Sequence, residues 1–450
     1  MSGSQFLLIG ILLGALISQA IIPQARMLII TLAAAIAGAC ATGLGLATTR
    51  ELMAEVPWGV LVMLVGLGLL AEMLASSRLF GVLAAQLARY GEGNPRLLMV
   101  ALTAGMFFVS GLVNNLTALV LVLPPVLVLL QLMGADRRYA VWLLGSLLVA
   151  CNLGGAATPI GDFPAILLLG NGSLDFGNYL VHALPAAGLG LIALLFITNI
   201  LIQPARGMAD DRLSRRLSVV VMDRLYRRVR VDASILVPAA IMLLAMVVAW
   251  TSIPQSTGVT PDLICWLGVI AALLSRARLG ERLVRTRVDV EATLFLLSLF
   301  IMVGAVRHTG VFSDISLWLT GLELPGQAKL AVFIAVAAVL TGVFSAGPSM
   351  AALLEVAPAL TTTMPKTAVY VGLALGVCAG SSLFLTAATS GPLAQAMTER
   401  AGIVTADGKP LRFGFAEFLP IGLLSFTIIL SIGIAAALTI ASLAPRSGVP

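Results

Sequence analysis

The chain has 450 residues, of which 59% are hydrophobic and only 11% are charged, and its mean hydropathy is +1.05. Soluble domains carry about 25% charged residues, so the composition excludes an ordinary soluble fold. A net charge of +6 would suggest an acidic partner for a soluble protein, but arginines in short loops of a membrane protein mainly set its orientation. The sequence does not indicate nucleic-acid binding.

Apolar runs long enough to cross a bilayer recur along the whole chain, since a hydrocarbon core about 30 Å thick needs about 20 apolar residues. The N-terminal run lacks a basic n-region and a small-residue cleavage signature, so we expect a retained span. The predicted spans and longer apolar passages are 6–22, 27–46, 57–75, 97–132, 139–169, 179–202, 234–251, 263–275, 292–306, 330–363, 368–396 and 418–443. They predict an all-α polytopic membrane protein with about 10 transmembrane helices.

An arginine-rich stretch at 205–232 divides the chain into membrane halves at 1–204 and 233–450. Such a charge run is typically a solvated face, so we expect a cytoplasmic linker; a lipid-headgroup or regulatory contact is the alternative. The positive-inside rule then places this linker and the arginine cluster at 276–287 in the cytoplasm. Counting spans from there predicts that passage 97–132 begins and ends inside and that passage 330–363 begins and ends outside.

Each of these two passages is therefore a re-entrant hairpin or a pair of spans, and the two enter from opposite faces. The first contains SGLVNNLT at 110–117, which is answered by FSAGPS at 344–349 in the second. The stretch NLGGAATPIGDFP at 152–164 is likewise answered by SSLFLTAATSGP at 381–392. We expect two inverted-topology repeats, each with a re-entrant helical hairpin and a broken helix.

The polar interruptions of the first half are the candidate binding site, because a helix is broken at membrane depth only where the break lines a protected or wet cavity. Amides and hydroxyls can replace the hydration shell of an ion, glycines let carbonyls approach it, and the start of a half-helix attracts anions. The motif alone therefore leaves the charge of the cargo open. Helix capping and interhelical hydrogen bonds are the structural alternatives. The candidate ligands are Ser110, Asn114, Asn115, Thr117, Asn152, Gly154, Gly155, Thr158 and Asp162.

The second half offers hydroxyls where the first offers amides. Its candidates are Ser345, Ser349, Ser381, Ser382, Thr386, Thr389 and Ser390. Glu355 is the conspicuous acid of this half and is either a proton carrier or a paired, interfacial glutamate. Glu72 and the Arg307-His308 pair present the same choice between a functional and an interfacial role.

Cysteine and histidine usage argues against an enzyme or a resident cofactor. The four cysteines all fall in apolar segments and form neither a disulfide framework nor a metal-binding spacing. The two histidines, His182 and His308, have no accompanying nucleophile-base spacing. The only metal that the sequence leads us to expect is a transported or coupling Na+.

The run from LFGVLAAQLARYGEGNPRLL through SGLVNNLTALVLVLPP to NLGGAATPIGDFP resembles the ion transporter superfamily. It is most similar to the arsenite permease and sodium/proton antiporter-like branch, and to the citrate-transporter and divalent anion:sodium symporter group. The resemblance implies cargo held between hairpin tips and breaks, with Asn115, Thr117, Gly154, Gly155, Thr158 and Asp162 as ligands. Two departures, Ala165 after the PIG motif and AGPS in the second hairpin, leave open whether the second sodium site of those relatives exists here.

The sequence therefore predicts a secondary transporter of a bacterial inner membrane that moves a small inorganic ion or carboxylate by alternating access, coupled to Na+ or H+. Its expected partners are the lipid bilayer, the small ionic substrate and a second copy in a homodimer. An inorganic-ion permease or antiporter is favoured over a dicarboxylate or citrate symporter, because no basic residue in the four motifs is placed to neutralise such an anion. A non-transporting membrane sensor or assembly subunit on the same scaffold is the alternative.

Overall fold

A computed structural model describes residues 3–21, 25–90, 94–208, 221, 230–253, 257–388 and 390–443. Helices dominate this part of the chain, and its only β-bridge joins Val404 and Pro410. Most of the linker predicted at 205–232 lies outside the described residues. The all-α polytopic architecture predicted from the sequence is confirmed.

The described helices of the first half follow the predicted interruptions closely. They are α1 (Gly3–Ile21), α2 (Arg26–Gly43), α3 (Thr49–Ala54), α4 (Trp58–Ser76), α5 (Leu79–Tyr90), α6 (Pro95–Leu112), α7 (Asn115–Leu132), α8 (Arg137–Ala157), α9 (Phe163–Gly170) and α10 (Phe176–Phe196). A π-helical turn, Ile197–Ile202, extends α10. The first hairpin is therefore α6 and α7, and the first broken helix is α8 and α9.

The second half repeats this order of elements. Its described helices are α11 (Ala233–Ser252), α12 (Pro261–Leu274), α13 (Ala277–Arg287), α14 (Val290–Arg307), α15 (Val311–Gly321), α16 (Gly326–Phe344), α17 (Ala346–Thr361), α18 (Lys366–Ser381), α19 (Ser390–Ala401) and α20 (Phe415–Leu443). Here α16 and α17 form the second hairpin, and α18 and α19 the second broken helix. The short helix α15 was not predicted from the sequence.

Nine helices of the described chain are long and apolar enough to cross a membrane, namely α4, α6, α7, α8, the run from α10 to its π-helical extension, α11, α14, α16 and α20. The apolar parts of α1, α2, α12 and α18 are shorter.

Local sequence explains where the first arm of the first hairpin begins. Asn94 caps α6 by accepting a hydrogen bond from the Arg96 backbone amide, and Pro95 occupies the first helical position, where its missing N–H costs nothing.

Loop contacts on one side of the bundle join elements from both halves. Arg137 at the start of α8 pairs with Glu417 of α20 at 2.9 Å, and Tyr139 donates to the Pro95 carbonyl oxygen at the start of α6. Arg138 donates to the Ile202 carbonyl oxygen at the end of the α10 extension. The Asp232 amide, before α11, donates to the Ser77 carbonyl oxygen at the end of α4. We call this face the basic side.

The opposite side is defined by a second set of loop contacts. His308, which follows α14, lies 2.9 Å from Glu55, which precedes α4. Phe176 at the start of α10 stacks on Trp250 at the end of α11. The hairpin α6–α7 thus begins and ends on the basic side, whereas Glu355 of α17 pairs with Arg307 on the opposite side. The two hairpins enter from opposite faces, as the predicted inverted repeat requires.

The two halves interlock through their hairpins. Within each half, the first hairpin arm packs against the broken helix, α6 on α8 and α16 on α18. Between halves, the second arm packs on the short helix beyond the break of the other half, α7 on α19 and α17 on α9. Each hairpin therefore contacts both broken helices.

Candidate functional site

The tip of the first hairpin is bonded directly to the first break. Thr158, the first residue after α8, donates to the Gly111 carbonyl oxygen at 2.6 Å. The buried Ser110 hydroxyl lies 2.7 Å from the Cys151 carbonyl oxygen and 2.5 Å from Asn115 Oδ1. A hydroxyl has one hydrogen to donate, so it bonds one of these oxygens at a time and leaves the other free for a different partner.

Three glycines let the two backbones meet this closely. A β-carbon placed on Gly154 would lie 2.1 Å from the Phe107 carbonyl oxygen, and one on Gly161 would lie 2.5 Å from the Ser110 carbonyl oxygen. A β-carbon on Gly155 would lie 2.4 Å from Asn115 Oδ1. Gly161 was not among the candidate residues from the sequence. Its position in the Pro159-Ile160-Gly161 segment of the break could have indicated it. Each glycine is therefore required for a close approach between the hairpin and the break.

Helix capping accounts for part of the polarity of the first half. Asn114 Oδ1 accepts from the Thr117 backbone amide at 2.8 Å and caps α7. The Asn114 side chain thus stabilises the start of this helix. Asp162 Oδ1 accepts from the Phe163 amide at 2.9 Å and caps α9. The Asn115 side chain faces the same carboxylate. Of the predicted ligands, Ser110, Asn115, Gly155, Thr158 and Asp162 thus surround one point between the hairpin tip and the break.

Oxygen atoms predominate around this point. They belong to a hydroxyl, an amide, a carboxylate and backbone carbonyls, and the carboxylate supplies a negative charge. In the part of the chain that the structure describes, no hydrogen bond or ion pair joins an arginine or lysine to these side chains. Oxygen-rich sites of this kind suit small hard cations better than anions.

Asn152 belongs to α8 but its side chain reaches the second break. Its Nδ2 donates to the Ser381 carbonyl oxygen and to the Ser382 hydroxyl, each at 3.2 Å, and Ser390 donates to its Oδ1 at 3.4 Å. The side chain is 2% exposed. The two breaks, far apart in sequence, are thus joined by one buried amide.

The other hydroxyls of the second half are placed unequally. Ser345 forms the hairpin tip with a left-handed φ of 76°, which is strained for a residue other than glycine. Ser349 is buried, and its hydroxyl has no hydrogen-bond partner among the described residues. Thr386 is exposed, away from the Asn152 contacts, and Thr389 lies outside the described residues. Thr341, which the sequence analysis did not single out, also has a buried hydroxyl without a partner in the described chain.

Glu355 and Glu72 lie apart from the breaks. Glu355 pairs with Arg307 at 3.2 Å on the opposite side, and Glu72 lies 3.8 Å from Arg287 on the basic side. Glu355 is ten residues beyond Ser345, which is about 15 Å along a helix that rises about 1.5 Å per residue. These pairings match the paired, interfacial alternative for both glutamates. The neighbouring His308–Glu55 contact was not expected from the sequence.

Known proteins that match most of this chain include members of a transporter family. The family model described as "Citrate transporter" matches residues 14–376. An uncharacterized transporter of Mycobacterium tuberculosis is 28% identical over 77% of this chain and 80% of its own. Magnetosome protein MamN of Magnetospirillum gryphiswaldense is 27% identical over 84% and 86%. The crystal structure of the YdaH transporter of Alcanivorax borkumensis has a TM-score of 0.55 at 18% identity and covers 88% of each chain, so it shares the fold.

Proposed function

The chain belongs to the citrate transporter family, and from that premise we propose that it is a secondary active transporter of a small inorganic ion or carboxylate. We propose further that it works by alternating access, is coupled to Na+ or H+, and resides in a bacterial inner membrane with the 205–232 linker in the cytoplasm. The observation that carries the proposal is the convergence of the two hairpins on the two broken helices. Broken helices at membrane depth are where transporters of this general design hold their cargo.

The charge of the first-half site supports coupling to a cation. Asp162 is placed beside the Asn115 amide and a glycine-lined backbone, and the described contacts bring no basic side chain to it. A carboxylate held between helices in lipid is costly unless a cation or proton compensates it. Binding of Na+ or H+ at Asp162 would remove that cost and prepare the site for cargo.

The same charge constrains the cargo. A carboxylate or oxyanion would meet a negative site unless a cation is already bound, so an anionic cargo is expected to bind only after the coupling ion. The family description favours a carboxylate, whereas the lack of a neutralising arginine or lysine favours an inorganic ion. The proposal therefore includes both a carboxylate and an inorganic ion as cargo, and the uptake experiment described next distinguishes them.

The primary experiment is uptake into proteoliposomes that contain the purified protein. A Na+ gradient and a pH gradient are imposed separately, and labelled citrate, succinate, phosphate and arsenite are tested in turn. Cation-driven uptake of at least one cargo is expected. No uptake of any of these cargoes under either gradient, together with no cation-dependent thermal shift of the detergent-solubilised protein, contradicts the proposal and favours the non-transporting sensor.

Site variants are compared with matched controls. Asn115→Ala and Asp162→Asn are expected to abolish uptake at normal protein levels. Asn178→Ala and Asp407→Asn remove the same groups from exposed positions and are expected to transport normally. Full uptake by both site variants would remove this site from the mechanism while leaving the transporter assignment in place.

A further inference from the structure

The two halves place equivalent glycines at the contact between hairpin and break. A β-carbon on Gly154 would lie 2.1 Å from the Phe107 carbonyl oxygen, and one on Gly380 would lie 2.2 Å from the Ala338 carbonyl oxygen. One on Gly111 would lie 3.4 Å from the Gly154 carbonyl oxygen, and one on Gly342 would lie 3.7 Å from the Gly380 carbonyl oxygen. Gly111 therefore corresponds to Gly342, and Gly154 corresponds to Gly380.

Counting from these glycines aligns the remaining positions of the two sites. Ser110 corresponds to Thr341, since each directly precedes its hairpin glycine, and Gly155 corresponds to Ser381. Asn115 lies four residues after Gly111, which gives Ala346 in the second hairpin. The hydroxyl is therefore retained in the second half, but the amide is replaced by a methyl group.

The carboxylate has no counterpart either. The second break and the first residue of α19 read SLFLTAATS at 382–390, with no acid and no amide. The hydroxyls of Thr341 and Ser349 are buried there and are neutral. A cation held in lipid by neutral groups alone would lack the compensating charge that Asp162 supplies in the first half.

Asn152 supplies the amide that the second half lacks, and the nitrogen of this amide acts there as a hydrogen-bond donor. Its Nδ2 bonds the carbonyl oxygen of Ser381, the counterpart of Gly155, and the hydroxyl of Ser382, both at 3.2 Å. A buried N–H group satisfies these oxygens without adding charge, so they need no cation to compensate their burial. The acceptor end of the same amide is satisfied by Ser390.

We infer that the two breaks have different tasks: the first binds the single coupling cation, and Asn152 closes the second to cations by donating to its oxygens. One cation is then coupled in each transport cycle, and the buried hydroxyls of the second half are left to the cargo. This inference rests on the proposed function, because it counts the ions that the transporter uses.

The test counts cations bound by the full-length protein in detergent, with ²²Na⁺ in a scintillation assay and with protons in a pH-stat titration. One cation per chain is expected, and Asp162→Asn should bind none. Asn152→Asp replaces the donor by a carboxylate among the oxygens of Ser381, Ser382 and Ser390, so its count should rise from one to two. Asn199→Asp, which changes a half-buried asparagine whose side chain donates to the Leu195 carbonyl oxygen, is the matched control and should remain at one.

The outcomes separate the inference from the proposed function. Two cations per wild-type chain would overturn the inference and leave the transporter intact, as would a folded Asn152→Asp variant that still binds one. No bound cation of either kind would contradict cation coupling itself. If Asn152→Asp does not fold, the wild-type and Asp162→Asn counts alone decide, with one and none supporting the inference.

Discussion

Replacing Gly154 by alanine tests the contact between the first hairpin and the first break. The new β-carbon would lie 2.1 Å from the Phe107 carbonyl oxygen, whereas ordinary van der Waals contact begins at 3.4 Å, so the two helices must separate by about 1.3 Å. The obstacle is backbone, so no side-chain rotation can relieve it. Overpacking of this kind costs about 1–3 kcal/mol, against which the better helix propensity of alanine returns about 1 kcal/mol.

We therefore expect the free energy of unfolding to fall by up to about 2 kcal/mol. The effect on uptake should be more severe than this loss of stability. A binding site has to be held to about 0.5 Å, so a shift of this size at the hairpin tip should abolish cation-driven uptake. The apparent melting temperature in detergent and uptake in proteoliposomes measure the two effects.

Gly188→Ala is the control for this substitution. Gly188 lies in α10, and a β-carbon there would meet nothing within 4 Å. Its replacement should stabilise the helix by about 0.5–1 kcal/mol and leave uptake unchanged. If Gly154→Ala behaves like Gly188→Ala in both assays, the close contact between the hairpin and the break is refuted.

Three other predictions concern single contacts. Tyr139→Phe removes the buried hydroxyl that bonds the Pro95 carbonyl oxygen at 2.7 Å and should cost about 0.5–1.5 kcal/mol in unfolding experiments, with uptake retained; unchanged stability would contradict that bond. Glu355→Gln should retain cation-driven uptake with a normal pH profile, because Glu355 is paired with Arg307 away from the breaks; loss of proton coupling would instead support a role of Glu355 as a proton carrier. Hydrogen bonds from the backbone and hydroxyl of Thr48 lower the pKa of Glu51 below its ordinary value. The cap of α3 should thus be fully stabilising above the ordinary carboxyl pKa and be lost as the pH falls through the lowered one. Melting temperature against pH should fall less steeply on the acid side for Glu51→Gln than for the wild type, and equal slopes would exclude this contribution.

Local sequence patterns predicted the elements of the fold because each element has a local cause. SGLVNN interrupts an apolar run with polar residues, and the structure ends α6 at Leu112 and begins α7 at Asn115. The glycine-rich run after Asn152 likewise yields the gap between Ala157 and Phe163. The order of the elements in the two halves, and the opposite entry of the hairpins, followed from span counting and loop charge.

Local sequence patterns did not predict the contacts between segments that are distant in the chain. Asn152 was assigned to the first break, yet its hydrogen bonds go to Ser381 and Ser382, because the direction of its side chain depends on how α8 packs against the other half. Glu355 was a candidate from hydropathy alone, and its pairing with Arg307 depends on where the end of α14 packs in the other part of the bundle. The short helix α15 has an apolar run too short to be distinguished from a loop by hydropathy.

The interlocked hairpins also constrain how the protein is made. The arm α7 is covered by α19, which is synthesised only near the end of the chain, and α9 must wait for α17. The N-terminal half therefore leaves the ribosome with α7 packed on α5, α6 and α8 but without its contact to α19, which forms only when the C-terminal half has been inserted. The contacts between the halves are thus the last to form, and truncation after the first half leaves a fragment in which α7 and α9 lack their partners from the second half.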